Sequence, residues 1–178
     1  LRMLMLTRKI DILMTRLQCP ICKLFELKQA ASACSDASKL HPMRVHLLCA
    51  GGFMKNVVDV LNTNSDYTIV GVFDDNKKLS HSSTVYGVQM LGAIDTFASY
   101  VQKTCAEGSD VCVICCNGDP RARMAIIRTI KEMNDLGDFT ICWPTVVHPT
   151  AEISPTATIK QGAFVGANAY IGPDAHIG

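Results

Sequence analysis

The sequence predicts an α/β chain: a small parallel sheet with covering helices, running into the first coils of a left-handed parallel β-helix. Three observations carry this. Between Arg44 and Trp143, short apolar runs alternate with amphipathic stretches, the pattern of parallel strands joined by helical crossovers. From Val147 onward the chain repeats every six residues: Val147, Ile153, Ile159, Val165, Ile171 and Ile177 are aliphatic, and Ala151, Ala157, Ala163, Ala169 and Ala175 each stand four places after one of them. Turn formers punctuate both regions. The expected organisation is a leader of uncertain structure over residues 1–42, the sheet domain over 43–145, and incomplete hexad repeats over 146–178.

Residues 1–44 carry eight Lys/Arg against three Asp/Glu, and residues 45–178 carry nine against thirteen. That asymmetry separates the leader from the body. Arg2, Arg8, Lys9, Asp11 and Arg16 interrupt any apolar core that a secretory signal would need. Met43 directly precedes the first convincing strand, so unrelated upstream sequence is the favoured account of the leader. Cys19-Pro-Ile-Cys22 is a lone CxxC; a zinc site needs two more ligands and only Cys34 and His41 are near, so loose leader sequence is favoured over a metal site. Cys49, Cys112, Cys115 and Cys142 stand inside apolar runs and read as small buried hydrophobes in a reducing compartment. The expected location is cytoplasmic. No stretch approaches a membrane span, and the formal net charge of +1 suggests no nucleic-acid partner.

Arg44–Cys49 predicts the first strand. Gly51-Gly52 turns the chain into a helix over Phe53–Leu61. Thr68–Phe73 is a second strand ending in Asp74-Asp75. Val88–Leu91 predicts a short strand, with a helix near Ile94–Gln102. Val111–Cys116 is a continuous apolar run of the fully buried kind. Asn117-Gly118-Asp119-Pro120 follows, with Asp119 a helix N-cap and Pro120 a first helical residue. Phe139–Trp143 predicts the last strand of the sheet.

A period of six fits neither a helix nor a simple alternating strand. It fits a coil with flat faces, in which each hexad makes one short strand and one corner. The aliphatic residue then points inward and Ala fits where the corner is tight. Repeat arrays need about three units for a stable core, and the hexads stop at Gly178, so the chain is expected to be a fragment of a longer protein.

In open parallel sheets ligands sit beyond the carboxyl ends of the strands. Three of those ends carry suggestive residues. Gly51-Gly52 lets backbone N–H groups approach a phosphate at a helix N-terminus. Asp74 lies at about the distance at which a carboxylate meets ribose hydroxyls in dinucleotide folds. Gly118, with Arg121 and Arg123 behind it, opens the third loop. Each has a bland alternative: a tight turn, a solvated loop, an exposed helix face.

The segments CAGGFMKNVVDVL, IVGVFDDNKKL, YGVQMLG, CNGDPRARMAII and VVHPTAEISPTATIKQGAFVGANAYIGPDAHIG resemble, in order, the sugar O-/N-acyltransferases of the NeuD/PglD type. These are hexapeptide-repeat transferases with an N-terminal Rossmann-like domain. The resemblance implies an acetyl-CoA-dependent acyltransferase acting on an amine or hydroxyl of a nucleotide-activated sugar or sialic acid, trimeric when complete and without a metal. It implies substrate binding by Gly51, Gly52, Phe53, Asp74, Asp75, Gly118 and Arg123. Here Cys49, Phe53 and Met54 replace the first glycine, the histidine and the last glycine of the family's first loop. The family's general base is a β-helix histidine, expected beyond Gly178, so no catalytic residue is assigned within the chain. His148 is expected to be structural, and His176 is not expected to act as base. The alternatives are a non-catalytic sugar-nucleotide-binding or assembly module and, more remotely, a nicotinamide-dependent oxidoreductase fragment, disfavoured by the missing GxGxxG.

Overall fold

β1 (Met43–Leu48) is the centre of the structure because its residues are the least tolerant of water: Val45, Leu47 and Leu48 are fully buried. In this computed structural model, residues 42–79, 82–106, 109–135 and 139–178 are described. The leader and its Cys19–Cys22 pair lie outside the described residues. β2 (Tyr67–Phe73) and β5 (Asp110–Cys115) flank β1, both parallel to it. β4 (Val88–Gly92) joins β2, and β6 (Thr140–Cys142) joins β5, again parallel. The sheet order is β3-β4-β2-β1-β5-β6. Strand order reverses between β1 and β5, which places the topological switch point there.

The short strand β3 (Thr84–Val85) pairs antiparallel with β4 and escaped the sequence reading. Two residues are too few to show a period. Its turn is Tyr86-Gly87, with φ of 50° and 79°, the double left-handed geometry of a two-residue hairpin turn. The predicted helix near Ile94 begins as a 3-10 turn, Ile94–Thr96, and becomes α-helical as α2 over Phe97–Thr104.

α1 (Gly52–Asn62) buries Met54, Val57, Val58, Val60 and Leu61. That spacing lines one helical face, which lies against β2 and the first coil of the repeats. α3 (Pro120–Asp135) packs on β5 and β6. A core cluster joins Leu48 and Phe73 to Phe97 and Val101 of α2, Val111 and Val113 of β5, and Ile130 of α3. Of the cysteines read as plain buried hydrophobes, Cys49, Cys112 and Cys142 are buried, but Cys142 is disulfide-bonded. The last point corrects the expectation of a free thiol there.

The hexads form six two-residue strands: β7 (Val146–Val147), β8 (Glu152–Ile153), β9 (Thr158–Ile159), β10 (Phe164–Val165), β11 (Tyr170–Ile171) and β12 (His176–Ile177). β7 pairs with β10, β8 with β11 and β9 with β12, all parallel. Three hexads therefore make one turn, and three flat faces begin a parallel β-helix. Its corners are specific. Gly162, Asn168 and Asp174, six apart, have φ of 79°, 56° and 58°. Thr150 Oγ1 accepts the N–H of Asn168 at 3.1 Å, and Thr156 Oγ1 accepts that of Asp174 at 2.9 Å. A threonine in one turn thus props a left-handed corner in the next. The coil is pinned to the sheet by Tyr67, whose buried hydroxyl donates to the Thr145 carbonyl at 3.0 Å.

Candidate functional site

Three loops leave the carboxyl ends of β1, β2 and β5 and are tied to one another by backbone hydrogen bonds. Cys49 N donates to Phe73 O, and Cys116 N to Leu48 O, both at 2.7 Å. Asp74 locks the first two loops together: Oδ2 accepts from Ala50 N at 2.6 Å and Oδ1 from Asn76 N at 2.7 Å. Asp75 turns the other way, and its Oδ1 accepts from Ile94 N at 2.8 Å, holding the start of the 3-10 turn. Both carboxylates therefore do backbone work inside the chain, and the second oxygen of Asp75 has no such bond among those described.

The third loop is organised by Asn117, which the sequence reading passed over. Its Oδ1 accepts from Asp119 N at 2.9 Å, the side-chain turn that Asn favours. Its carbonyl accepts from Arg123 Nε at 2.9 Å. Asp119 caps α3 as expected, accepting from Ala122 N at 2.7 Å. These contacts hold the Arg123 guanidinium over the Phe53 ring, 5.5 Å from its centroid. Phe53 in turn meets Phe164 of the β-helix edge-on at 5.2 Å. A cation and two rings thus run from α3 across the first loop to the coil.

Beside this stack lies a cavity of about 340 Å³, lined by Phe53, Cys115, Arg123 and Lys131 on the sheet domain and by Gln161 and Phe164 on the repeats. Lys131, Cys115 and Phe164 were not among the predicted site residues. No local motif marks them, since they come from three separate elements.

The predicted glycines can be placed physically. Neither Gly51, Gly52 nor Gly118 has a left-handed φ. A Cβ on Gly51 or Gly52 would meet nothing within 4 Å, and one on Gly118 only Phe53 Cβ at an ordinary 3.6 Å. Nothing in the chain's own packing requires glycine there. Cys49 is the converse: its φ of 72° lies where glycine is at ease and other residues are strained by about 1–2 kcal/mol. Met54, which stands where the resembled family's first loop has its last glycine, is fully buried on the inner face of α1 and leaves the loop open. Gly51 is the N-cap of α1, with no side-chain cap and no acidic residue in the first turn, so the helix N-terminus faces outward unneutralised.

His148 is a corner residue. Its Nδ1 accepts from Thr150 N at 3.1 Å and sits 2.8 Å from Thr150 Oγ1. His176 is exposed. Among the described residues no cluster of His, Cys, Asp or Glu is arranged to hold a metal ion, and no helix is long and apolar enough to cross a membrane.

Residues 44–130 match the PglD N-terminal domain. The β-helix follows this domain in solved structures too. PerB from Caulobacter crescentus, in complex with CoA and GDP-perosamine, matches with TM-score 0.60 and 22% identity over 75% of this chain and 56% of that one. The acetyltransferase domain of PglB from Neisseria gonorrhoeae, in complex with acetyl coenzyme A, matches with TM-score 0.59 and 22% identity over 76% and 58%. An uncharacterized protein of Acanthamoeba polyphaga mimivirus is 30% identical over 106 residues, 58% of this chain and 19% of that protein. The chain spans little more than half the length of the solved structures it matches.

Proposed function

We propose that this chain supplies the acceptor-binding part of an acetyl-CoA-dependent acyltransferase acting on a nucleotide-activated sugar. The observation that carries the reading is the set of three glycines, Gly51, Gly52 and Gly118, at adjacent strand ends where neither backbone conformation nor internal packing calls for glycine. Bare backbone facing open space at a switch point suits a ligand that approaches N–H groups closely. The N-terminus of α1 and Arg123 supply positive potential for a diphosphate. Asp75, with one oxygen uncommitted, accepts from a nucleoside hydroxyl. The match of residues 44–130 to the PglD N-terminal domain supports the reading, as does the fold shared with enzymes solved in complex with CoA and GDP-perosamine.

In this proposal residues 43–145 bind the sugar nucleotide and residues 146–178 begin the β-helix on which acetyl-CoA would lie, in a cytoplasmic homotrimer. The acceptor amine or hydroxyl attacks the thioester carbonyl as a base removes its proton. That base is not assigned to His148, whose Nδ1 is already committed within its corner, nor to exposed His176.

Calorimetric titration of the full chain with UDP-, GDP- and CMP-sugars tests the reading. Saturable binding that Asp75→Ala weakens by about tenfold, equivalent to the loss of one charged hydrogen bond, is the expected result. Absence of binding to every sugar nucleotide would sink it.

A further inference from the structure

Two free thiols stand at the ends of adjacent strands, one of them lining the cavity. Cys115 ends β5, and Leu48 stands opposite it in the parallel register with β1. Cys49 is one residue further on. Neighbouring strands and a one-residue step put its Cα about 5.8 Å from that of Cys115, inside the range a disulfide spans. Strand alternation would send the Cys49 side chain to the opposite face. Its left-handed φ of 72° turns it back, so that it shares the core cluster of Leu48, and its thiol and that of Cys115 lie near enough to shift each other's ionisation in opposite directions. Asn117 Nδ2 donates to Cys49 Sγ at 3.8 Å from the other side. Cys115 also lines the cavity beside Arg123, so a small molecule entering it reaches this sulfur. Cys49 is buried behind it. The backbone strain at Cys49 thus brings a second sulfur to the first, where glycine would leave one thiol alone.

We propose that Cys115 and Cys49 form a reactive dithiol site that takes low-molecular-weight disulfides, Cys115 attacking and Cys49 resolving, to close a reversible disulfide across the ends of β1 and β5. The Cys115 thiolate attacks one sulfur of the incoming disulfide, that S–S bond breaks, and one thiolate leaves. Cys49 gives its proton to water and attacks Cys115 Sγ, expelling the second thiolate. Two protein thiols are oxidised and one external disulfide is reduced to two thiols.

The roles are unequal for physical reasons. The neighbouring Cys49 thiol, the Asn117 backbone N–H and the Arg123 charge favour the Cys115 thiolate against its burial and bring its pKa down to about 7. The same pairing, with burial, pushes the Cys49 thiol up. Once Cys115 is capped, that opposing thiolate is gone and Cys49 ionises more readily. Cys116 is fully buried and also pushed up, so it stays out of the exchange. The site stands on this geometry whether or not a sugar nucleotide is the ligand.

The test uses the full chain incubated with glutathione disulfide at neutral pH, quenched in acid, alkylated with iodoacetamide and mapped by peptide mass. The expected result is a linked peptide joining Cys49 to Cys115, with both lost from the alkylated pool and restored by dithiothreitol. In Cys49→Ser the mixed disulfide of Cys115 with glutathione should persist unresolved. In the reduced protein, Cys115 alkylation should rise with pH about a midpoint near 7. Cys115 remaining fully alkylatable while Cys105 reacts, or pairing instead with Cys116, overturns the proposal. The linked peptide from the unsubstituted chain decides the matter even if the variant fails to fold.

Discussion

Replacing Gly71 with alanine tests how closely the sheet holds the site. Gly71 lies in β2 opposite His46 of β1, just past a register shift between Val45 and His46. A Cβ there would stand 2.5 Å from Leu91 Cγ, 2.6 Å from Leu91 Cδ1 and 2.9 Å from the Gln89 carbonyl oxygen of β4. The leucine can rotate away, but the carbonyl belongs to the backbone and moves only if β4 moves. Overpacking of this kind costs about 1–3 kcal/mol, and backbone involvement places Gly71→Ala at the upper end, about 2–3 kcal/mol. For a domain of this size that lowers Tm by roughly 6–12 °C. The same displacement reaches the site, since Asp74 N donates to Gly92 O at 2.9 Å and Asp75 holds Ile94 N. Thermal unfolding by circular dichroism measures the first effect. Adding Leu91→Ala should recover only the part of the loss owed to the side chain. A Tm for Gly71→Ala equal to that of the unsubstituted chain would refute the claim that backbone approach, rather than chance, explains this glycine.

Two further predictions concern acid stability and the coil. His46 is 5% exposed, its Nδ1 has no partner, and it lies among Phe73, Phe97 and Tyr100. Burial, with a smaller contribution from the Arg44 charge, holds its pKa below the usual 6.5. Below 6.5 the unfolded chain binds a proton that the folded one refuses, so this contribution is fully present above pH 6.5 and fades as pH falls toward the folded value, by up to about 1.4 kcal/mol per pH unit. Urea unfolding between pH 7 and 5 should show that slope and His46→Leu should flatten it; an equal slope in both would refute the assignment. In the coil, Thr156→Val removes the acceptor of the Asp174 N–H at 2.9 Å. Because the corner is exposed and water can replace the bond, the cost is about 0.5–1 kcal/mol, read as a two- to fivefold faster amide exchange at Asp174. Unchanged exchange would show that the threonine does not hold the corner.

The hexads were legible because a β-helix coil is a local structure repeated: each strand pairs with the residue one turn later, so periodicity alone dictates the three faces. The βα units were legible for a similar reason, since apolar runs such as Val111–Cys116 and the Asp119-Pro120 helix start announce themselves within a few residues. The hairpin of β3 was not, because its pairing rests on a two-residue strand and a turn whose dihedrals no pattern displays. Met54, standing where the resembled family has a glycine, gave no local sign that the phase of α1 carries it inward.

Sequence was sufficient for the order of the elements, the hexad coil and the three glycine- and aspartate-bearing strand ends, because each depends on neighbours within one or two turns of chain. Tertiary structure alone set Asp74 between two loops, Arg123 on Phe53 and Phe53 on Phe164, and Cys49 beside the strand end that carries Cys115. Those contacts join residues far apart in the chain. They exist because parallel crossovers lay β1 between β2 and β5, and no local pattern encodes which strands become neighbours.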